Sequence, residues 1–425
     1  MYKIILFFLI IGWLDLASCG NDSSYINTSH LDHLYEEVIV NNDTLGIIHI
    51  YAEYPDYHWI DDSDEGTACV DDVARAMIFY LDHYRYSGNE TSLIKVKHLL
   101  NYLFYMHAEN GYFYNFTWKD NSINREFKTS VAEPNWWSWR ALWALSEANE
   151  LFKAEDKYLS QRILHHLNKI IAVTISWLEK EKSYKDYSGF ETPAWLPHEA
   201  ASDQAAIIIK GLVSYYETEK DSAVIPAIKQ LAEGIMSMQA GDQNTFPYYS
   251  FLSWQNTWHA WGNSQADALL SAGLILNDSS LIHSALNELE YFYPFLLNEK
   301  YYSDYSITKQ SSKIEIIQLN KFPQIAYSIR PFVFAALQAY DITGNKKYSE
   351  LAGKIACWFI GDNAASAVMY EPGTGRCYDG IVDEKKINKN SGAESTIECL
   401  LSLQKIEQYP AAKAVLEDYR LILAE

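Results

Sequence analysis

The sequence predicts an all-α fold: an (α/α)6 toroid of six helical hairpins, with small β-hairpins in the loops at its cleft face. Three observations lead there. Helical stretches rich in Ala, Leu and aromatic residues begin near Asp71, Trp136, Ser202, Ser264, Pro331 and Gly392, at intervals of 61–67 residues, the period of a supersecondary repeat. Each is followed by a second, more polar helical stretch, at 92–107, 156–181, 221–239, 279–297, 347–360 and 411–423. Long aromatic loops separate the pairs, at 109–134, 187–198, 242–261, 301–327 and 369–390, and loops of that length are uncommon unless they build a site.

Taken in order, the chain begins with a targeting segment. Lys3 supplies a positive charge, 4–14 is an apolar run too short to span a membrane as a mature helix, and Leu16-Ala17-Ser18-Cys19 follows. This end resembles the bacterial lipobox, which would make Cys19 the lipidated first residue of the mature chain. The alternative is an ordinary signal peptide cut nearby. The expected organisation is a leader at 1–19, a polar tether at 20–30 and a single toroid domain at 31–425. The expected location is the bacterial cell envelope, with the membrane met only through the lipid anchor.

Residues 31–40 are expected as a short helix, 45–51 as a strand or hairpin arm, and 56–65 as an acidic turn. Within the helical pairs, Ser87-Gly88-Asn89, Asn277-Asp278-Ser279 and Thr343-Gly344-Asn345 mark short connections between antiparallel helices. The first, more apolar member of each pair should be buried on nearly all sides, and the second should show one apolar stripe.

Charge and composition narrow the function. With 55 acidic against 34 basic residues the net charge is −21, which excludes nucleic acid and anionic membrane surfaces as main partners. Aromatic residues make up 15% of the chain, including 13 Trp and 32 Tyr. Many sit beside Asn, Gln, His, Asp and Glu in turn-rich stretches, as a sugar-stacking surface requires. Cys69, Cys357, Cys377 and Cys399 show no C-x-x-C spacing, so neither zinc nor another metal is expected. A disulfide and buried free thiols both remain open. No phosphate-binding loop or cofactor motif is present, and the protein is expected to be a monomer.

In a toroid of this kind every inner helix starts on the same face, so the polar residues at the six starts converge. The first start carries Asp71, Asp72 and Arg75. The second carries Glu133, Asn135, Trp136, Trp137 and Arg140. The third carries His198, Glu199 and Asp203-Gln204, and the fourth Trp258, His259, Trp261, Asn263, Gln265 and Asp267. The fifth has Tyr327 and Arg330, and the sixth Asn390, Ser391 and Glu394. Singly, each has a local explanation: acidic residues suit helix N-termini, and Ser391 with Glu394 fits a capping pair. Six starts bearing carboxylate, amide, imidazole or indole exceed what capping requires. A cleft rich in carboxylates and indoles suits a neutral glycan. Glycoside hydrolysis needs two carboxyl groups flanking a sugar ring, one protonated and one ionised.

Two motifs sharpen this. Cys69-Val70-Asp71-Asp72-Val73-Ala74-Arg75-Ala76 resembles the opening, and Ser391-Gly392-Ala393-Glu394-Ser395-Thr396, preceded by Gly375-Arg376-Cys377-Tyr378-Asp379-Gly380, the end, of a helical carbohydrate-active domain found fused to some bacterial glycosyltransferases. The chain is thereby similar to the six-hairpin glycosidase superfamily, many of whose members invert. The resemblance implies a glycosidase acting on a poly- or oligosaccharide. Asp72 and Glu394 are the expected catalytic pair, with Asp71 and Glu133 next. Trp136, Trp137, His198, Asp203, Trp258, His259, Trp261, Asn263, Tyr327, Arg330, Asp379 and Asn390 are expected to bind substrate. Two other readings stand beside it. One is a polysaccharide lyase or uronate epimerase using Tyr327, Arg330, His198 and His259; the other is a non-catalytic glycan-binding lipoprotein.

Overall fold

The computed structural model describes residues 24–178, 182–311 and 313–424. The leader with Cys19, and residues 20–23 of the expected tether, lie outside the described residues.

The six expected pairs are present. The inner helices are α1 (Val70–Ser87), α3 (Trp136–Glu155), α5 (Ser202–Glu219), α7 (Gln265–Leu276), α9 (Ile329–Thr343) and α11 (Ala393–Glu407). The outer ones are α2 (Glu90–Met106), α4 (Lys157–Leu178), α6 (Ile225–Ser237), α8 (Ser279–Asn287), α10 (Lys346–Ala356) and α12 (Pro410–Ala424). Each inner helix packs on the next, and α11 packs back on α1, so the ring closes. The punctuation works as its chemistry requires. Gly88 and Gly344 end α1 and α9 in the left-handed conformation, and Asn89 and Asn345 cap the following helices through their side chains. Inner-helix stretches such as 73–81 and 205–209 are buried without interruption, which explains why their apolar residues lack a single stripe.

Closure also uses the chain before α1. The backbone N–H groups of Ser391 and Ala393 donate to the carbonyls of Ala52 and Ile50, at 3.1 and 2.9 Å. Gly392 lies between them, and a Cβ there would come within 2.7 Å of the Ile50 carbonyl oxygen. Glycine is required by that close approach.

Two local expectations change. Residues 31–40 are not one helix: Ser29–Leu34 is helical, and Tyr35–Val40 is a strand paired antiparallel with Asp43–Ile48. The β-branched run Val38-Ile39-Val40, and Asn41 and Asn42 in left-handed conformations, favour a two-residue hairpin over helix continuation. The fourth outer helix is not continuous either. It passes through a π-turn, Glu288–Phe292, before resuming at Tyr293–Asn298. Pro294 has no N–H to give to the preceding turn, which accounts for the break. The four described cysteines are buried free thiols. Among the described residues no helix is long and apolar enough to cross a membrane.

Glu288, in the π-turn, is fully buried and accepts a 2.9 Å hydrogen bond from the Phe251 N–H. Burial, against that bond, pushes its carboxyl from 4.5 up to about 8. The folded chain therefore holds this proton more tightly than the unfolded chain, and stability is lost as pH rises through that interval. Glu288→Gln keeps the acceptor oxygen. Thermal denaturation followed across this pH range is expected to show a smaller loss of Tm with rising pH in the variant than in the parent.

Candidate active site

The inner-helix starts open onto a cleft made of three adjoining cavities of about 320, 340 and 370 Å3. The first lies between the sixth and first hairpins. Asp71, Glu394 and Asp379 line it, with Tyr327 as floor and Tyr51 and Glu65 as outer wall. The middle cavity shares Asp71, Glu394, Tyr327 and Glu65 with the first and adds Trp136, Arg140 and Trp261. The distal cavity shares Trp136, Asn135 and Trp261 with the middle one and adds His198, Asp203, Trp254 and His259. These shared walls make one groove.

A web of charges organises the first cavity. Arg75, buried on α1, donates to Asp72 Oδ1 at 2.5 Å, Glu394 Oε2 at 2.8 Å and Glu398 Oε1 at 3.4 Å. The other oxygen of Glu398 is taken by Arg330 from α9. Arg140, from α3, pairs with Asp71 and donates to the Tyr327 hydroxyl at 2.6 Å. The Arg75 and Arg140 guanidiniums lie 5.1 and 5.3 Å from the centre of the Tyr327 ring. Cations over an aromatic face are attracted to its negative quadrupole, so Tyr327 interacts with both. Burial raises the Tyr327 hydroxyl above its usual range, partly offset by Arg140.

The carboxyl groups differ in setting. Asp72 and Glu398 are almost completely buried, whereas the Glu394 side chain is 43% exposed. Burial raises the Asp72 carboxyl, with Arg75 opposing and Glu394 adding to the shift. Cys69 both caps the start of α1 and donates its thiol to Asp72 Oδ2 at 3.1 Å. Asp379 precedes the sixth inner helix and accepts at Oδ1 from the Gly392 N–H at 2.9 Å and the Ser395 hydroxyl at 2.7 Å. Its carboxyl is nevertheless raised, by burial first and by Glu394 last.

In the distal cavity, His259 is held by Asp203 at 2.9 Å through Nε2 and by the Trp261 carbonyl at 2.8 Å through Nδ1, and it stacks on the Trp261 indole. Gly262, in the left-handed region at φ +71°, follows; a Cβ there would be 3.0 Å from the Tyr327 hydroxyl and 3.1 Å from Trp136. His198, Glu199 and Ala200 are three consecutive non-glycine residues with positive φ, a strained entry to α5 of the kind found at binding sites. It turns the His198 carbonyl to accept from the exposed Trp254 indole at 2.9 Å.

The cleft therefore gathers Asp71, Asp72, Glu394, Asp379, Trp136, Trp137, Tyr327, His198, Asp203, His259 and Trp261 from among the residues expected there. Others fall elsewhere. Trp258 is wholly buried and stacks on Tyr305, because Thr257–His259 is a strand: successive side chains alternate, and His259 takes the groove side. Arg330 is 1% exposed and turned onto Glu398, a turn deeper than Tyr327. Asn263 is buried behind Gly262. Glu133 is bonded to Asn135, Asn390 receives the Tyr54 N–H, and neither lines the three cavities. Sequence reasoning missed Glu65, Tyr51, Trp254 and Glu398. Only Glu398 had a signal, four residues after Glu394 and so on the same helix face. Among the described residues, no group of three or more His, Cys, Asp or Glu is placed to hold a metal ion.

No family model and no curated protein matches the chain. Solved structures do, and they share the fold: (α/α)6 toroids that include sugar epimerases and glycoside hydrolases. The cellobiose 2-epimerase from Bacillus thermoamylovorans B4167 superposes with a TM-score of 0.59 at 11% identity, covering 89% of this chain and 95% of that one. The cellobiose 2-epimerase from Spirochaeta thermophila DSM 6192 gives 0.58 at 11% identity, over 86% and 91%. The family 9 endoglucanase J30 gives 0.51 at 12% identity, over 89% and 83%. At these identities the likeness establishes the fold.

Removing Arg75 strands Asp72 as a buried carboxylate and leaves Glu398 with Arg330 alone. Arg75→Met is expected to cost roughly 3–5 kcal/mol in urea denaturation, the range for breaking a buried pair. Glu394→Gln, at the solvent end of the same web, is expected to cost about 1 kcal/mol or less.

Proposed function

We propose that the protein is a carbohydrate-active enzyme, specifically a glycoside hydrolase acting on a poly- or oligosaccharide. The observation that carries this is the first cavity, where carboxyl groups in unequal environments face one space next to an indole-lined groove. Asp379 is the proposed general acid. Burial favours its protonated form, and its two hydrogen bonds both fall on Oδ1, which leaves Oδ2 to carry the proton. Glu394 is the proposed base, with one oxygen anchored by Arg75 and the side chain open to solvent. Asp379 gives its proton to the glycosidic oxygen as the bond to the anomeric carbon breaks. Glu394 takes a proton from the water that attacks that carbon, in a single displacement that inverts its configuration. Asp72, buried under Arg75, positions the guanidinium, and Asp71 with Arg140 shapes the opposite wall.

A lyase or uronate epimerase would need a free cation for the substrate carboxylate. Arg75, Arg140 and Arg330 are all engaged by carboxylates of the chain, which favours a neutral sugar. An epimerase of neutral sugars is a second reading, and the Asp203–His259 pair facing the groove is the observation that favours it. The lipid anchor at Cys19 and an envelope location rest on the N-terminal sequence and belong to the same proposal. Cys19→Ala should move the protein from the membrane to the soluble fraction.

Glu394→Gln and Asp379→Asn, each assayed on a panel of neutral glycans, are expected to lower kcat by at least ~100-fold, the scale of general acid–base catalysis, with the fold intact by circular dichroism. Wild-type turnover in both would remove the assignment. Running the reaction in deuterium oxide separates the two readings by NMR: hydrolysis leaves carbon-bound hydrogens unlabelled, and epimerisation places deuterium next to the anomeric carbon.

A further inference from the structure

The proposed reaction uses only the first cavity, yet the groove continues through two more of equal or larger volume, each sufficient for a small ligand. Three indoles along it are not buried in the core. Trp254 and Trp261 are 44% and 38% exposed, and with the half-buried Trp136 they line the distal cavity. Exposed indoles are common singly, but three around one concave surface form an apolar patch with a polar rim.

Each indole is held in place. Trp254 is fixed by its N–H to the His198 carbonyl, Trp261 by stacking on His259 at 4.2 Å, and Trp136 by the Arg140 guanidinium 5.0 Å from its ring centre. Fixed rings lose little conformational freedom when a ligand stacks on them. The remaining lining is amide and imidazole, Asn135, Gln204 and His198, with Asp203 already paired with His259. Among the described residues no lysine or arginine lines the distal cavity, so these residues offer no counter-ion for a phosphate, sulfate or uronate. Flat apolar faces interleaved with amides and imidazoles match a pyranose ring, whose faces are apolar and whose edge carries hydroxyls.

We propose that the middle and distal cavities are sugar subsites. The substrate is then a neutral oligosaccharide or polysaccharide whose reacting residue sits at Asp379 and Glu394 while at least two further rings extend over Trp136, Trp261 and Trp254. This rests on the functional reading above for the position of the reacting bond, but the subsites themselves can be tested by binding alone.

The test uses a ladder of neutral β-linked gluco- and manno-oligosaccharides from two to six residues. Affinity is measured by calorimetry on the Glu394→Gln protein, and kcat/KM on the parent. Both are expected to improve from two residues to four and then level off. Trp254→Ala is expected to weaken binding of the tetrasaccharide by about 3- to 10-fold, the range for a lost aromatic contact, and to weaken the disaccharide less. Trp254→Phe, which keeps a flat ring, should recover most of the difference and so exclude a folding defect. Affinity independent of chain length, or equal losses for disaccharide and tetrasaccharide in Trp254→Ala, would overturn the subsites. Length-dependent binding with no turnover in the parent would support the subsites while overturning the hydrolase reading. No binding of any ladder member would overturn the subsites.

Discussion

Arg75 is the constraint on which the rest of the structure depends. A single guanidinium on α1 reaches Asp72 on its own helix and both Glu394 and Glu398 on α11, so one side chain joins the first hairpin to the last. In a ring the last contact brings together residues more than 300 apart in sequence, and that closure carries a large entropic cost. Apolar packing alone would allow α1 and α11 to slide against one another. The planar fork of arginine, satisfied by carboxylates in fixed positions, sets their register. Arg330 extends the web to α9 by taking the second oxygen of Glu398, and Arg140 extends it to α3 through Asp71.

The same web tunes the cavity it supports. Carboxyl groups crowded together cannot all ionise at low cost, and here the chain distributes that cost unevenly. Glu398 and Asp72 are enclosed and matched to guanidiniums. Glu394 keeps one oxygen on Arg75 and faces solvent, and Asp379 is half-buried with only neutral donors, so its carboxyl is raised. Burial without a counter-ion favours the acid form. The two carboxyl groups therefore differ in setting according to which of them Arg75 reaches.

Rigid inner helices and long loops divide the work. The helices present Asp71, Arg75 and Glu394 to the first cavity, held by interhelical ion pairs, while Asp379 and Glu65 come from loops. The stacking surface comes from the loop side: Trp254 and Trp261 follow the third outer helix, and the strand Thr257–His259 is clamped by the hairpin of Asp304–Gln310 and Lys313–Asn320. That pairing aims His259 at the groove and sends Trp258 into the core. A wide groove with fixed aromatic walls can change length or specificity by loop substitution while the carboxylate web stays intact.

The sequence by itself determined the ring. Hydrophobic periodicity, glycine and asparagine punctuation and a repeat of 61–67 residues are local signals, and they located all six hairpins and the shared face of their starts. It also placed Asp71, Glu394 and Trp136 at the cleft, because helix starts must converge once the ring is known. Only the tertiary structure decided which of those side chains face the space. Asp72 and Asp71 are neighbours in sequence, yet one is buried and held by Arg75 and the other pairs with Arg140, since adjacent helical positions point about 100° apart. Trp258 and His259 separate for the corresponding reason in a strand. Arg330 was claimed by Glu398 across 68 residues of sequence, and Trp254 reached the groove through a strained turn that no local pattern announces. Which neighbour a charge or an indole meets is a long-range contact, and local periodicity carries no information about it.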